Sequence, residues 1–118
     1  MATAGTIAVV LVALLHLYFL ILEMFLWDKP FGRRVFKLTP EFAAASKALA
    51  ANQGLYNGFL VAGLLWGAAL GPAGTLIKAF FLGCVIIAGV FGAVTVSRMI
   101  LFAQAIPGII ALAIVLQA

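Results

Sequence analysis

A small set of polar side chains interrupts the long apolar stretches of this chain, and their types suit hydrogen bonding and proton exchange. His16 and Glu23 lie seven residues apart. On a helix they would share nearly one face, about 10 Å apart along the axis. The other members of the set are Asn52, Gln53, Tyr56, Asn57, Arg98 and Gln104. Polar groups at membrane depth usually face a protein interior or a wet cavity, so the set marks a candidate site.

The depths of these residues predict one polar layer beneath the cytoplasmic headgroups. In a pocket that opens to the cytoplasm, Glu23 would be the ionisable switch and Arg98 its partner or an anion contact. His16 would lie deeper, as a proton acceptor at the floor. The polar residues at 52, 53, 56 and 57 would orient a ligand. Two alternatives stay open: the groups satisfy one another and fix the helix register, or they face headgroups.

Metal and covalent chemistry have little support in the sequence. Seven residues between His16 and Glu23 are too many for one ion, unlike the i,i+4 spacing of zinc-binding helices. Cys84 is the single cysteine and lies in an apolar run, where it reads as a small buried hydrophobe. No cofactor or metal is expected, and no enzyme activity is predicted. A rival interpretation makes His16, Glu23 and Tyr56 acid–base groups acting on a lipid-soluble substrate.

The elements that must position these residues are long apolar stretches, which cover 3–22, 48–77, 79–97 and 99–118. Each is long enough for a spanning helix of ~20 residues. Hydrophobic residues make up 67% of the 118 residues and charged residues 8%, which excludes a water-soluble fold. The sequence predicts an all-α, polytopic membrane protein. It would be a single domain with four transmembrane helices (about 4–27, 40–70, 75–96 and 99–117) in an up-down bundle.

Local signals set the predicted helix ends. Thr39-Pro40-Glu41 is a good helix start, and residues 40–51 are predicted to form an amphipathic ramp that continues into the membrane. Residues 30–37 are predicted to be a loop in the headgroup region. Residues 71–74 are predicted to form a tight turn, and Pro107-Gly108 to kink the last helix or reset its start. Small residues four apart suggest close helix packing, within the chain or in a dimer. They are Gly54 and Gly58, Gly63 and Gly67, and Ala88 and Gly92.

Charge distribution predicts the orientation. Five of the seven basic residues fall within residues 28–47, which is typical of a cytoplasmic loop in contact with anionic headgroups and argues against a nucleic-acid partner. Both termini would then be external in a bacterial inner membrane, and no cleaved signal peptide is expected. Lys78 would lie near the outer end of its helix and snorkel to the surface.

Three segments resemble a known family: residues 16–24 (HLYFLILEM), 36–42 (FKLTPEF) and 50–59 (AANQGLYNGF). They are similar to domain-of-unknown-function family 1304, which consists of small bacterial integral membrane proteins of about this length. The resemblance covers essentially the whole chain and implies a four-helix membrane protein. It brings no established activity.

The function that fits these patterns is binding of a small molecule, with proton-coupled movement across the membrane as its extension. Transport would require a homo-oligomer, because four short helices enclose little volume. The alternatives are a membrane-embedded enzyme acting on a lipid-soluble substrate, and a structural accessory subunit with no ligand.

Overall fold

The computed structural model describes residues 2–117, and these residues form helices and turns without any strand. Helix α1 spans Ala2–Phe25, α2 Pro30–Phe36 and α3 Pro40–Ala69. After a 3-10 turn at Gly71–Gly74, α4 spans Thr75–Thr95; a π turn at Leu101–Ala105 leads into α5, Ile106–Leu116. The all-α prediction is confirmed. Helices α1, α3 and α4 begin and end within two residues of their predicted bounds. The same holds for the last predicted helix if residues 99–100 and the π turn are counted with α5.

Helix α3 begins where the capping signal predicts. The Phe42 amide donates to the Thr39 hydroxyl at 3.1 Å, and the Ala43 amide donates to the Thr39 carbonyl at 3.0 Å. Glu41 lies in the first turn, where its charge complements the helix dipole. The helix then continues without a break to Ala69, so the prediction that residues 40–51 are helical is confirmed.

The prediction of a loop at residues 30–37 is wrong, because most of this segment forms the short helix α2. Pro30 occupies its first turn, where a missing N–H costs nothing. Gly32 is buried so close to the Leu26 backbone that no Cβ could fit. Lys37 ends the helix in the left-handed conformation (φ 57°), and the Leu38 amide donates to the Arg33 carbonyl at 2.8 Å. Seven residues are too few for helical periodicity to appear in the sequence.

The π turn before α5 has a local cause in Pro107. Proline has no N–H, and in a regular α-helix its ring would clash with the carbonyl four residues earlier, that of Ala103. The chain widens there instead, and the Ile106 amide donates to the carbonyl of Leu101, five residues back. Of the two predicted outcomes at Pro107-Gly108, the reset of the α-helix start is the one observed.

Two helical segments are long and apolar enough to cross a membrane: Thr3–Phe25 (23 residues) and Gly71–Thr95 (25 residues). A shorter apolar helix covers Leu101–Leu116. Helix α3 carries polar groups at 52, 53 and 57, and it is not among the helices that are long and apolar enough to cross a membrane.

Contacts divide the chain into two compact units. The middle unit is Leu14–Val61, in which the second half of α1 packs antiparallel to the first half of α3. The end unit combines Met1–Ala13 with Ala62–Ala118. In the end unit α4 packs along the π turn and α5, and a Cβ on Gly89 would lie 2.7 Å from the Ala105 amide nitrogen. Leu82 and Val85 are fully buried there.

Candidate functional site

Glu23 and Asn57 form the central polar contact of the middle unit. The Asn57 side-chain amide donates to Glu23 Oε1 at 2.5 Å, and both residues are half-buried. Within the middle unit, an ion pair joins Lys47 to Asp28, and no cation of this unit lies within 4 Å of Glu23. An uncharged amide therefore satisfies one oxygen of this carboxyl group.

Glycines in α3 allow this contact by bringing the two helices together. A Cβ on Gly54 would lie 2.5 Å from Met24 Cγ, 3.2 Å from Glu23 Cβ and 3.3 Å from the Leu20 carbonyl oxygen. A Cβ on Gly58 would lie 3.1 Å from Leu20 Cδ1. These approaches confirm, for this glycine pair, a packing role within the chain.

The remaining predicted residues of α3 lie on its surface. Asn52 and Gln53 are exposed, and 52% of Tyr56 is exposed. Together with Asn57 they form the polar stripe, an arc along α3 that ends at the Glu23 contact. Amide and hydroxyl groups facing hydrocarbon cost several kcal/mol, on the order of 2–7, without a hydrogen-bond partner. In a bilayer this stripe needs a ligand, a protein partner or headgroups beside it.

A second set of contacts joins the end of α1 to the start of α3. Trp27 Nε1 donates to Ser46 Oγ at 2.9 Å, and Ser46 Oγ donates to the Phe42 carbonyl at 2.7 Å. The Lys47 ammonium lies 3.1 Å from the Asp28 carboxylate. This hydrogen bond from Lys47 is the main cause of the lowered pKa of Asp28. The sequence analysis assigned no partner to these residues, since spacing alone does not pair residues 19 positions apart.

Of the three remaining predicted residues, His16 belongs to the middle unit, and Arg98 and Gln104 belong to the end unit. His16 is completely buried, with its ring edge-to-face against Phe19 at 5.5 Å between centroids. Gln104 lies in the π turn of the end unit and donates to the Val85 carbonyl at 3.3 Å. Arg98 is exposed and belongs to the end unit, so its pairing with Glu23 stays a prediction.

The end unit contains a cavity of about 430 Å³ that the sequence analysis missed. Thr3, Thr6, Gly71, Thr75 and Lys78 are among the residues that line it. Lys78 is only 5% exposed, and its ammonium donates to the Gly71 carbonyl at 3.0 Å. The prediction that Lys78 reaches the surface is therefore wrong. The side chain instead packs against Gly67, where a Cβ would lie 2.7 Å from Lys78 Cγ.

Metal-binding residues do not cluster in the described part of the chain: no three side chains of the His, Cys, Asp and Glu types lie close enough to hold an ion. Comparison with curated proteins and with solved structures gives no match. The model of one family, described as "protein of unknown function (DUF1304)", matches residues 10–116. Because that match covers nearly the whole chain and includes all three segments that carry the resemblance, this protein belongs to the DUF1304 family.

Proposed function

We propose that this protein is an integral protein of the bacterial inner membrane that binds a small hydrogen-bond-donating molecule at Glu23 and the polar stripe. The exposed apolar surface supports the membrane assignment. Only 33% of the most apolar 18-residue segment of Thr3–Phe25 is buried, and only 22% of that of Gly71–Thr95. A core helix of a soluble protein would be mostly buried. Leu76, Ile87 and Phe91 are 84%, 72% and 68% exposed. Apolar surface of this extent suits lipid contact.

The proposed topology has four spans in an up-down arrangement. Helix α3 and the residues from 99 to 116 supply the two additional spans. The concentration of basic residues within 28–47 supports a cytoplasmic location for that segment, with both termini outside. Single cysteines at positions 2 and 35, in a chain with Cys84 replaced by alanine, test this orientation. A membrane-impermeant thiol reagent should label position 2 from outside intact cells, and labelling of position 35 from outside would contradict the proposal.

One observation carries the binding proposal: the Glu23 carboxyl is held by an uncharged amide at the edge of an exposed polar stripe. A carboxylate can accept up to about four hydrogen bonds, and Asn57 supplies one to Oε1. With no cation of the middle unit within 4 Å, a ligand with an ammonium or another N–H donor matches Glu23 best. A proton and such a ligand would compete for the same carboxylate, which is the basis for proton-coupled movement.

A structural accessory role is the second candidate, favoured by the tight packing at Gly54. There the hydrogen bond from Asn57 to Glu23 would serve only to fix the register of α1 against α3. The two candidates differ in one measurable respect. Binding requires the carboxylate, whereas a register contact needs only a hydrogen-bond acceptor.

Glu23→Gln separates them, because the new amide oxygen still accepts from Asn57 while the negative charge is lost. The probe is benzylammonium, a small aromatic cation whose ammonium has three N–H donors, added to purified protein in detergent micelles and measured by equilibrium dialysis. We expect saturable binding by the wild type that weakens as the pH falls, and a loss of about tenfold or more in Glu23→Gln. Glu41→Gln, which removes an exposed carboxylate in the first turn of α3, is the matched control and should bind like the wild type. Equal binding by Glu23→Gln and the wild type, or no saturable binding by either, would favour the structural role.

A further inference from the structure

A buried lysine without a carboxylate partner is the starting point for a second site, independent of the proposed function. Lys78 is 5% exposed, and its ammonium makes one hydrogen bond among the described residues, to the Gly71 carbonyl at 3.0 Å. An ammonium has three N–H donors, so two more can be given. The three acidic residues of the chain, Glu23, Asp28 and Glu41, all belong to the middle unit. No carboxylate among the described side chains lies within 4 Å of Lys78.

Burying a charge without an opposite charge is costly, and native proteins usually compensate it with a counter-ion or hydrogen bonds. Here the space for a counter-ion is present. The cavity of about 430 Å³ lies beside Lys78, and this volume is within the range of small-ligand pockets, roughly 300–1,000 Å³. Thr3, Thr6 and Thr75 also line it. The hydroxyl of Thr75 donates to the Pro72 carbonyl at 2.9 Å, so the hydroxyl of the exposed Thr3 is the one offered here as a donor to an oxygen-rich ligand.

The start of α1 reinforces the same preference for negative charge. Thr3 and Thr6 lie in the first turns of α1. The N-terminal end of a helix carries partial positive charge and backbone N–H groups that lack intrahelical partners. This end adds to the positive potential of the Lys78 ammonium, whereas the Thr75 amide at the start of α4 already donates to the Pro72 carbonyl.

We propose that this cavity binds a phosphate group, with the Lys78 ammonium as its principal charged contact. A phosphate offers several acceptor oxygens to the ammonium, the Thr3 hydroxyl and the first turn of α1 at once. Two sources share this chemistry: a free phosphate-bearing solute and the headgroup of an anionic phospholipid. Because the cavity lies at the end of two apolar helices, both sources are within reach of it.

The test compares thermal unfolding of the purified protein in a neutral, phosphate-free detergent. Inorganic phosphate is added at low concentration, against chloride at equal ionic strength, so that general salt effects stay small. In parallel, phosphatidylglycerol is added, against phosphatidylcholine. Binding to the native state raises the unfolding midpoint. A rise with inorganic phosphate identifies a site for free phosphate groups, and a rise with phosphatidylglycerol alone identifies a headgroup site.

Lys78→Met keeps an unbranched side chain against Gly67 and removes the charge. We expect it to weaken the phosphate or phosphatidylglycerol affinity by about tenfold or more, the loss typical of a charge-assisted hydrogen bond. Lys29→Met, at an exposed lysine of the middle unit, is the matched control for inorganic phosphate and should shift like the wild type with that probe. If Lys78→Met responds like the wild type, or if the wild type responds to neither probe, the proposal is overturned.

Thr3→Glu gives a second variant should Lys78→Met fail to fold. Thr3 is exposed in the first turn of α1, where glutamate is well tolerated. The new carboxylate at the cavity would repel phosphate and abolish the midpoint shift. An undiminished shift in Thr3→Glu would refute the site.

Discussion

Replacing Gly54 with alanine should separate α1 from α3 and weaken the Glu23 contact. The added methyl group would lie 2.5 Å from Met24 Cγ, 3.2 Å from Glu23 Cβ and 3.3 Å from the Leu20 carbonyl oxygen. Met24 can rotate away because its side chain is flexible. The Leu20 carbonyl belongs to a helix backbone and cannot move without moving the helix. The strain should therefore reach the hydrogen bond between Asn57 and Glu23.

The size of the effect follows from two opposing contributions. Overpacking a close contact costs about 1–3 kcal/mol, and weakening a side-chain hydrogen bond costs about 1 kcal/mol. Alanine regains about 0.5–1 kcal/mol over glycine in a helix interior. We expect the free energy of unfolding of Gly54→Ala to fall by about 1–3.5 kcal/mol. The assay is reversible unfolding in mixed micelles by titration with sodium dodecyl sulfate, followed by circular dichroism.

Gly83→Ala is the matched control. Gly83 lies within α4, and a Cβ there would meet nothing within 4 Å apart from its own chain neighbours and helix backbone. This variant should gain about 0.5–1 kcal/mol from helix propensity alone. If Gly54→Ala proves as stable as Gly83→Ala, the two helices do not require glycine at position 54. The conclusion that close packing at Gly54 supports the hydrogen bond between Asn57 and Glu23 would then be refuted.

Four other substitutions test separate parts of the fold. The hydrogen bond from Lys47 holds the pKa of the Asp28 carboxyl below its ordinary value of 3.8. The ion pair therefore stabilises the fold above pH 3.8, and this stabilisation is lost as the pH falls through the pKa of the folded protein. Asp28→Asn should therefore lower the unfolding midpoint at neutral pH and have no effect well below pH 3.8, and a pH-independent difference would contradict this. In Gly71→Ala the new methyl group would contact no other atom within 4 Å, but alanine would have to adopt φ 61°, at a cost of about 1–2 kcal/mol. In Lys37→Gly the same kind of backbone strain, at φ 57°, is relieved, so this variant should not be destabilised. Unfolding titrations of both variants check the pair, and equal effects would exclude backbone strain as the cause. Thr39→Ala removes the hydroxyl cap of α3 and should lower the free energy of unfolding by about 0.5–2 kcal/mol in the same assay. An unchanged free energy of unfolding would show that the cap does not stabilise the helix.

The helices and most of their ends could be predicted from local sequence. Long apolar stretches, the cap at Thr39 and the break at Pro107 act through neighbouring residues, so their effects can be read without knowing the fold. Helix α2 escaped prediction because its fold depends on contacts that its own seven residues do not encode. Only glycine fits at position 32, because a Cβ there would collide with the Leu26 backbone.

Tertiary structure decided which polar residues meet. Four candidates on α3 were equivalent in the sequence as partners for Glu23, and the rotation of α3 set by Gly54 and Gly58 selects Asn57. The same applies to Lys78, whose burial beside a cavity depends on segments that lie more than 60 residues away along the chain at Thr3 and Thr6. Hydropathy and spacing report the environment of a residue along its own helix, whereas a site is formed by side chains from different helices. Their distances depend on how those helices pack, and packing is a property of the whole set of contacts.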